Sequence, residues 1–339
     1  MAADFSWGLI GPGSIANRFA EAVCNLPGTQ LRSVYGRDAA RAADFARLWS
    51  RDGDCRLQPV PDLDAMLADP AIDAVYIATP HSSHGGLIRR CLEAGKPVLC
   101  EKPMLPNLAA GKEIVAFAQA RNLFLMEAMW SRFLPIYDHV GRWLQEGAIG
   151  KLQGMQSSFC FAATFDADSR LFNPALAGGA LLDIGIYNIA MTRWVIETSD
   201  GVCREPTSIR ADGLLSSTGV DQRVTATLLF PGGIASQFVC ALDGHANNSF
   251  SIFGDKGMIC LPENFWQATE AVLSRHGLPA VTMRAPFRIN GFEGEIEEVI
   301  RCVRAGLGQS SRMPLTETLA TLACIDEMRR QLGVRYPFE

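Results

Sequence analysis

A glycine-rich turn, Gly11-Pro12-Gly13-Ser14-Ile15-Ala16, joins an apolar run at residues 7–10 to a stretch at 15–25 whose apolar side chains recur at helical spacing. A chain that leaves a strand through such a turn and enters a helix at once is making half of a strand-helix-strand unit, and the two elements must pack face to face. Gly11 permits the tight turn, Gly13 lets the backbone approach a ligand, and small Ala16 lets the helix lie against the strand. The rhythm then repeats. Residues 31–35, 74–78, 97–100 and 123–126 read as strands, and 39–48, 86–94 and 108–120 as the helices between them. Strands alternating with helices build a parallel sheet.

Beyond about residue 126 the period changes, with longer alternating runs at 153–161, 224–230 and 235–242 and helical stretches at 293–305 and 316–332. A chain of 339 residues is long for one core. The expected fold is therefore α/β: a Rossmann doubly wound parallel sheet at 1–125, then an α+β domain at 126–339 with a mostly antiparallel sheet. The charge balance of 31 − 36 = −5, without a basic block, argues against a nucleic-acid partner. The ten cysteines are scattered, with no zinc-ligand spacing, so no metal is expected and free thiols in a reducing cytosol explain them. Residues 1–5 lack the pattern of a signal peptide and no apolar run reads as a bilayer span, so the expected location is cytoplasmic, with no membrane partner.

Three strand ends carry the chemistry. In a doubly wound sheet, nucleotides bind beyond the carboxyl ends of the strands, with the pyrophosphate against the helix N–H groups of Ser14 and Ile15. The second strand ends in Gly36-Arg37-Asp38. Arg37 and Arg41, at i and i+4, can pair with the 2′-phosphate of NADP, whereas Asp38 can accept from the ribose hydroxyls of NAD. NADP is the favoured cofactor and NAD the alternative, and two solvated surface arginines are the plainer reading. The fourth strand ends in Ala78-Thr79-Pro80-His81-Ser82-Ser83-His84, which borders the nicotinamide ribose; Thr79 is assigned there, His84 a positioning role at most, and His81 none. The fifth runs into Cys100-Glu101-Lys102-Pro103 and points an amine, Lys102, at the dinucleotide.

The glycine turn, the Thr79-Pro80 loop, Glu101-Lys102-Pro103 and Gly178-Gly179-Ala180-Leu181-Leu182-Asp183-Ile184-Gly185-Ile186-Tyr187 together resemble the Gfo/Idh/MocA oxidoreductase family over almost the full length. Residues 127–135, Glu-Ala-Met-Trp-Ser-Arg-Phe-Leu-Pro, and 333–337, Gly-Val-Arg-Tyr-Pro, are similar to its branch of dimeric dihydrodiol dehydrogenases and NADP-dependent xylose dehydrogenases. The resemblance implies a homodimer or homotetramer formed through the second-domain sheet. It implies that Pro103 follows a cis peptide bond, that Glu101 pairs with Lys102 or meets the nicotinamide side, and that Trp130, Arg132, Phe159 and Phe161 wall the substrate pocket. Core packing is an equal reading for either phenylalanine.

It further implies that Asp183 and Tyr187, four apart and on one face if helical, bring polar groups to the nicotinamide. The reaction so implied removes a proton from a substrate hydroxyl and a hydride from the same carbon. Tyr187 would accept the proton, Lys102 would tune it and touch the hydroxyl, and Asp183 would orient the substrate. Lys102 as the base is the alternative assignment. Lowering a tyrosine from about 10 to about 7 requires about 4 kcal/mol, of which a nearby ammonium can supply part. The small-molecule substrate expected is a cyclic polyol or sugar, foremost an aldose such as D-xylose oxidised at C1, with a trans-1,2-dihydrodiol second. A non-catalytic NADP-sensing regulator is the alternative of another class, disfavoured because Lys102, Asp183 and Tyr187 occur together. A metal-dependent hydrolase is further off, because no metal-ligand cluster is present.

Overall fold

The computed structural model describes residues 4–50, 57–202 and 204–339. Cys55, Cys203 and residues 1–3 lie outside them; the eight described cysteines are free thiols. The chain divides into two compact units, Met1–Leu105 with Ala109–Trp130 and Arg288–Thr316, and Pro106–Leu108 with Ser131–Phe287 and Glu317–Glu339.

The first unit contains, in chain order, β1 (Phe5–Ile10), α1 (Ser14–Asn25), β2 (Thr29–Tyr35), α2 (Ala39–Trp49), β3 (Gln58–Pro59), α3 (Leu63–Ala68), β4 (Ala74–Ile77), α4 (His84–Glu93), β5 (Val98–Glu101), α5 (Leu108–Arg121) and β6 (Leu125–Ala128). The strands are parallel, in the order β3-β2-β1-β4-β5-β6. Every residue of β1, β4 and β5 is buried, which is why these segments are mostly apolar and do not alternate with polar residues. Trp7 and Tyr76 close on Phe19 of α1, the tyrosine ring stacked at 3.7 Å and the indole edge-on at 5.1 Å. Burying each such ring stabilises the unit by roughly 2–3 kcal/mol. Two elements escaped the sequence reading, β3 and α3, both too short for a period to show.

The chain continues through α6 (Pro135–Gln145), β7 (Leu152–Cys160), a π-helical turn Leu181–Gly185 running into α7 (Ile186–Asp200), and β8 (Ser208–Leu215), β9 (Asp221–Leu229), β10 (Ala235–Ala241), β11 (Phe250–Gly254), β12 (Gly257–Leu261), β13 (Glu270–Arg275) and β14 (Val281–Arg284). These strands form one sheet, β14-β13-β12-β11-β7-β10-β9-β8, antiparallel except where β7 runs parallel to β10. The two helices that end the chain are α8 (Glu293–Arg304) and α9 (Leu315–Leu332).

The compact units cut the chain elsewhere than the single boundary at residue 125: residues 126–130 stay with the first unit and residues 288–316 return to it. There α8 buries Ile296, Val299 and Cys302 and packs on α1, and Asn290 and Arg18 exchange backbone-to-side-chain hydrogen bonds of 2.8 and 2.6 Å. The helical segment Pro174–Asp200 is long and apolar enough to cross a bilayer by length and composition, yet 89% of its most apolar window is buried inside the structure, as in a core helix, in line with the expectation of no membrane span.

Candidate active site

In the first unit the strand order reverses between β1 and β4, and the residues read as cofactor-binding gather at the ends of these strands and their neighbours. Gly11 has φ +92°, and a Cβ there would stand 2.7 Å from Thr79 Cγ2 and 2.8 Å from the Ala78 carbonyl, so only glycine fits. Gly13 is different. A Cβ on it would meet nothing closer than 3.8 Å, so packing makes no demand for glycine at the N-cap of α1. That N-cap has no side-chain hydrogen bond and the first turn, from Ser14 and Ile15, has no acidic residue, so its N–H groups are left for an anion.

At the end of β2, Asp38 turns its carboxylate onto the backbone N–H groups of Ala40 and Arg41, at 2.9 and 3.1 Å, and caps α2. Arg37 and Arg41 are exposed, with no acidic partner among the described residues.

Lys102 follows β5 and is half-buried, and its peptide bond to Pro103 is cis, as the family resemblance implied. Glu101 turns into the core, where Oε1 accepts from the Tyr76 hydroxyl at 2.5 Å and Oε2 from the Lys102 backbone N–H at 3.3 Å. Burial pushes the Tyr76 hydroxyl well above its ordinary value, and the Glu101 charge adds to this, so Tyr76 remains the donor. On α8, Glu295 is fully buried and among the described residues neither carboxylate oxygen has a hydrogen-bond partner; burial, then the charge of Glu101, push its carboxyl well above the usual carboxylate range. His84 is fully buried, with Nδ1 2.9 Å from the Pro103 carbonyl and Nε2 2.8 Å from the Thr79 carbonyl. It ties the loop after β4 to the cis peptide after Lys102, and burial lowers its pKa. Trp130 is 4% exposed, with the Arg18 guanidinium 4.5 Å from its ring centre and Phe292 at 5.0 Å, which is a packed position within this unit.

In the second unit, Asp183 lies in the π-helical turn and Tyr187 in the first turn of α7, so the two occupy one face. Arg170 Nη1 donates to Asp183 Oδ1 at 2.6 Å. Tyr187 is 6% exposed and sits 5.7 Å from Phe159, which in turn stacks flat on Trp266 at 3.4 Å and lies 6.5 Å from Phe161. The segment carrying Trp266 is pinned by two hydroxyls, Ser131 donating to the Trp266 carbonyl at 2.6 Å and Tyr137 to the Phe265 carbonyl at 2.7 Å. Arg132 is 3% exposed and pairs with Glu197 of α7 at 2.7 Å, bracing the helix that bears Tyr187.

The first unit thus brings together Gly11, Gly13, Ser14, Ile15, Thr79, His84, Glu101 and Lys102, with Arg37 and Arg41 at the neighbouring strand end. The second groups Asp183, Tyr187, Phe159 and Phe161. Sequence reasoning missed Trp266 and Arg170. A tryptophan inside the polar loop Glu263-Asn264-Phe265-Trp266-Gln267 was the available signal for the first; no local signal marks the second.

A nucleotide-type sheet switch, an open helix N-terminus and a lysine at a strand end define a domain of the dinucleotide-binding class. The model of the oxidoreductase family with an NAD-binding Rossmann fold, GFO/IDH/MocA, matches residues 5–129, and the GFO/IDH/MocA C-terminal domain matches 137–260. The chain belongs to the Gfo/Idh/MocA oxidoreductase family. It is similar to trans-1,2-dihydrobenzene-1,2-diol dehydrogenase of Mus musculus, 33% identical over 338 residues, and of Homo sapiens, 34% identical over 338 residues, each match covering 98% of both chains. Among solved structures it resembles an aldose-aldose oxidoreductase from Caulobacter crescentus, at TM-score 0.84 and 23% identity over 97% of this chain and 98% of that one. A 3-ketoreductase from Actinomadura kijaniata, solved with NADP and TDP-benzene, gives TM-score 0.82 and 24% identity with the same coverage.

Proposed function

We propose that the protein is an NADP-dependent dehydrogenase that oxidises one hydroxyl of a ring bearing adjacent hydroxyls. The observation that carries this reading is the Asp183–Tyr187 pair on one helical face, with Tyr187 set beside the Phe159–Trp266 ring stack. The phenol is a proton acceptor for a hydroxyl, the carboxylate an acceptor for its neighbour, and the aromatic faces suit the apolar side of a ring.

The residues of the first unit suit the cofactor. The open first turn of α1 and the glycine at position 13 would hold the pyrophosphate, and Arg37 and Arg41 the 2′-phosphate. Because the Asp38 carboxylate caps α2, it is poorly placed to serve ribose hydroxyls, which favours NADP over NAD. Bound NADP supplies the hydride acceptor. Tyr187 takes the proton from the reacting hydroxyl; Lys102 contributes the positive charge that favours phenolate and binds that hydroxyl. Asp183, held by Arg170, fixes the adjacent hydroxyl. Glu101 and His84 aim Lys102 by holding the backbone on either side of it.

Two substrates fit, a cyclic aldose such as D-xylose oxidised at C1 and a trans-1,2-dihydrodiol; the names of the full-length relatives favour the second. We place the protein in the cytoplasm. We also propose a homodimer or homotetramer through the eight-stranded sheet, which presents exposed Leu214, Leu229, Met258 and Val281.

The test is to incubate the purified protein with NADP and a panel of aldoses and trans-dihydrodiols while following NADPH absorbance. Lys102→Met and Tyr187→Phe are each expected to lower turnover about 100- to 10,000-fold with coenzyme binding retained. Full turnover in either variant refutes these roles, and coenzyme binding without turnover of any substrate points to a regulator.

A further inference from the structure

We propose that Asp221 and Tyr336 are positioning residues that clamp the start of the helix bearing Asp183 and Tyr187, an inference that rests on the active-site reading above and deepens it.

A helix begins with N–H groups that lack partners, and a serine, threonine or aspartate at the N-cap normally supplies one. Here the turn opens on Gly179 and Ala180, neither of which carries a side-chain acceptor. The acceptor comes from elsewhere. Asp221, the first residue of β9, inserts its carboxylate so that Oδ2 accepts the Leu181 N–H at 2.6 Å. The residue is fully buried, and among the described residues Oδ1 has no hydrogen-bond partner. Gly179 is shaped around that second oxygen: it has φ +120°, and a Cβ would stand 2.3 Å from Asp221 Oδ1. One residue earlier, the Gly178 carbonyl accepts the Tyr336 hydroxyl at 2.6 Å.

This glycine pair also sets both partners of the Arg170–Asp183 bond. The Asp183 N–H donates to the Gly179 carbonyl at 3.1 Å. In the other direction, the Gly179 and Gly178 N–H groups donate to the carbonyls of Leu171 and Asn173, at 2.9 and 3.1 Å, which ties down the segment that carries Arg170. If the turn shifts, the backbone of Asp183 and the root of Arg170 shift together.

Burying a carboxylate with one orphaned oxygen is a costly way to cap a helix. The groups facing Asp221 are Tyr336, Cys240 and Arg329. Burial holds the first two well above their ordinary values, hence neutral; Arg329 is the cation, stacked 4.0 Å from the Tyr336 ring and paired with Glu339 at 2.6 Å and Asp326 at 3.5 Å. Burial lifts Asp221 itself to about 7, so it changes charge near neutrality.

The experiment compares Asp221→Asn and Tyr336→Phe with the unaltered protein by steady-state kinetics, by the pH dependence of kcat/KM, and by hydrogen exchange of the peptide covering residues 180–187 without substrate. Asp221→Asn keeps the shape and a carbonyl acceptor but loses the charge. We expect its kcat to fall about 10- to 100-fold, the cost of misplacing reacting groups by an ångström or less, with KM for NADP changed less than about twofold. Its kcat/KM profile should lose an ionisation near neutral pH, and exchange at 180–187 should rise about tenfold or more above that of the rest of the unit. Tyr336→Phe should raise exchange in the same segment. Unchanged kcat, pH profile and exchange in both variants, or a loss of protection spread evenly over the unit, would overturn the proposal. Exchange is read without turnover, so activity retained by Lys102→Met or Tyr187→Phe would defeat the active-site reading while leaving the clamp to be decided by its own measurement.

Discussion

The buried carboxyl of Asp221 makes a quantitative demand on stability. Its pKa is about 7 in the folded protein against an ordinary 3.8, because burial disfavours the charge more than the Leu181 and Ala180 N–H groups and Arg329 favour it. Between these values the folded chain retains a proton that the unfolded chain has released. Asp221 therefore costs stability progressively as pH rises above about 4, and the cost levels off above the folded pKa. The gap corresponds to about 2 kcal/mol at pH 5 and about 4 kcal/mol at pH 8, at about 1.4 kcal/mol per pH unit. Asparagine has the same shape and no proton to lose. The stability of the wild-type chain relative to Asp221→Asn should thus fall by about 2–3 kcal/mol from pH 5 to pH 8. In a unit of this size that is about 4–12 °C in the relative melting temperature, readable by scanning calorimetry at a series of pH values. Whatever the substitution costs in packing displaces the two curves by a constant. Curves that stay parallel between pH 5 and pH 8, or converge in the opposite direction, would refute the reasoning.

The remaining expectations concern the cofactor and the core. Replacing Arg37 and Arg41 together by alanine should raise KM for NADP about 10- to 100-fold and leave KM for NAD within about twofold, since the charge-assisted hydrogen bonds of two exposed arginines to a phosphate are together worth about 1.5–3 kcal/mol; equal effects on both coenzymes would remove the 2′-phosphate assignment. Arg193 of α7 is 1% exposed and bound by both oxygens of Glu317, at 2.8 and 3.1 Å. Glu317→Ala should lower stability by about 3–5 kcal/mol in denaturant titration, whereas Arg193→Met with Glu317→Leu should recover most of that loss.

How far the residues announce their own roles depends on the range of the interaction. The turn at Gly11 and Gly13 and the strand ends at Thr79 and Lys102 were visible in the chain, whereas Asp183 and Tyr187 were marked by the family resemblance. The turn and the strand ends are local patterns in which the periods of strand and helix set the direction of a side chain within a few residues. Asp38 shows the limit of that reading. Its position at the end of β2 suited a ribose acceptor, and the backbone turned it into the cap of α2 instead. Trp130 reads as a substrate wall by resemblance, yet within its unit it packs between Arg18 and Phe292, which come from α1 and from the segment that returns late in the chain.

By itself, the sequence determined the class of fold, the edge of the parallel sheet where a dinucleotide belongs, and the candidate lysine, because alternation, glycine turns and strand ends are recorded in neighbouring residues; the candidate aspartate and tyrosine came from its resemblance to the family. Tertiary structure alone decided that residues 288–316 belong with the first unit, that Trp266 stacks on Phe159 beside Tyr187, and that Asp221 and Tyr336 reach across 40 and 158 residues to grip Leu181 and Gly178. Such pairings are set by which surfaces must leave water together, and no short-range period encodes them.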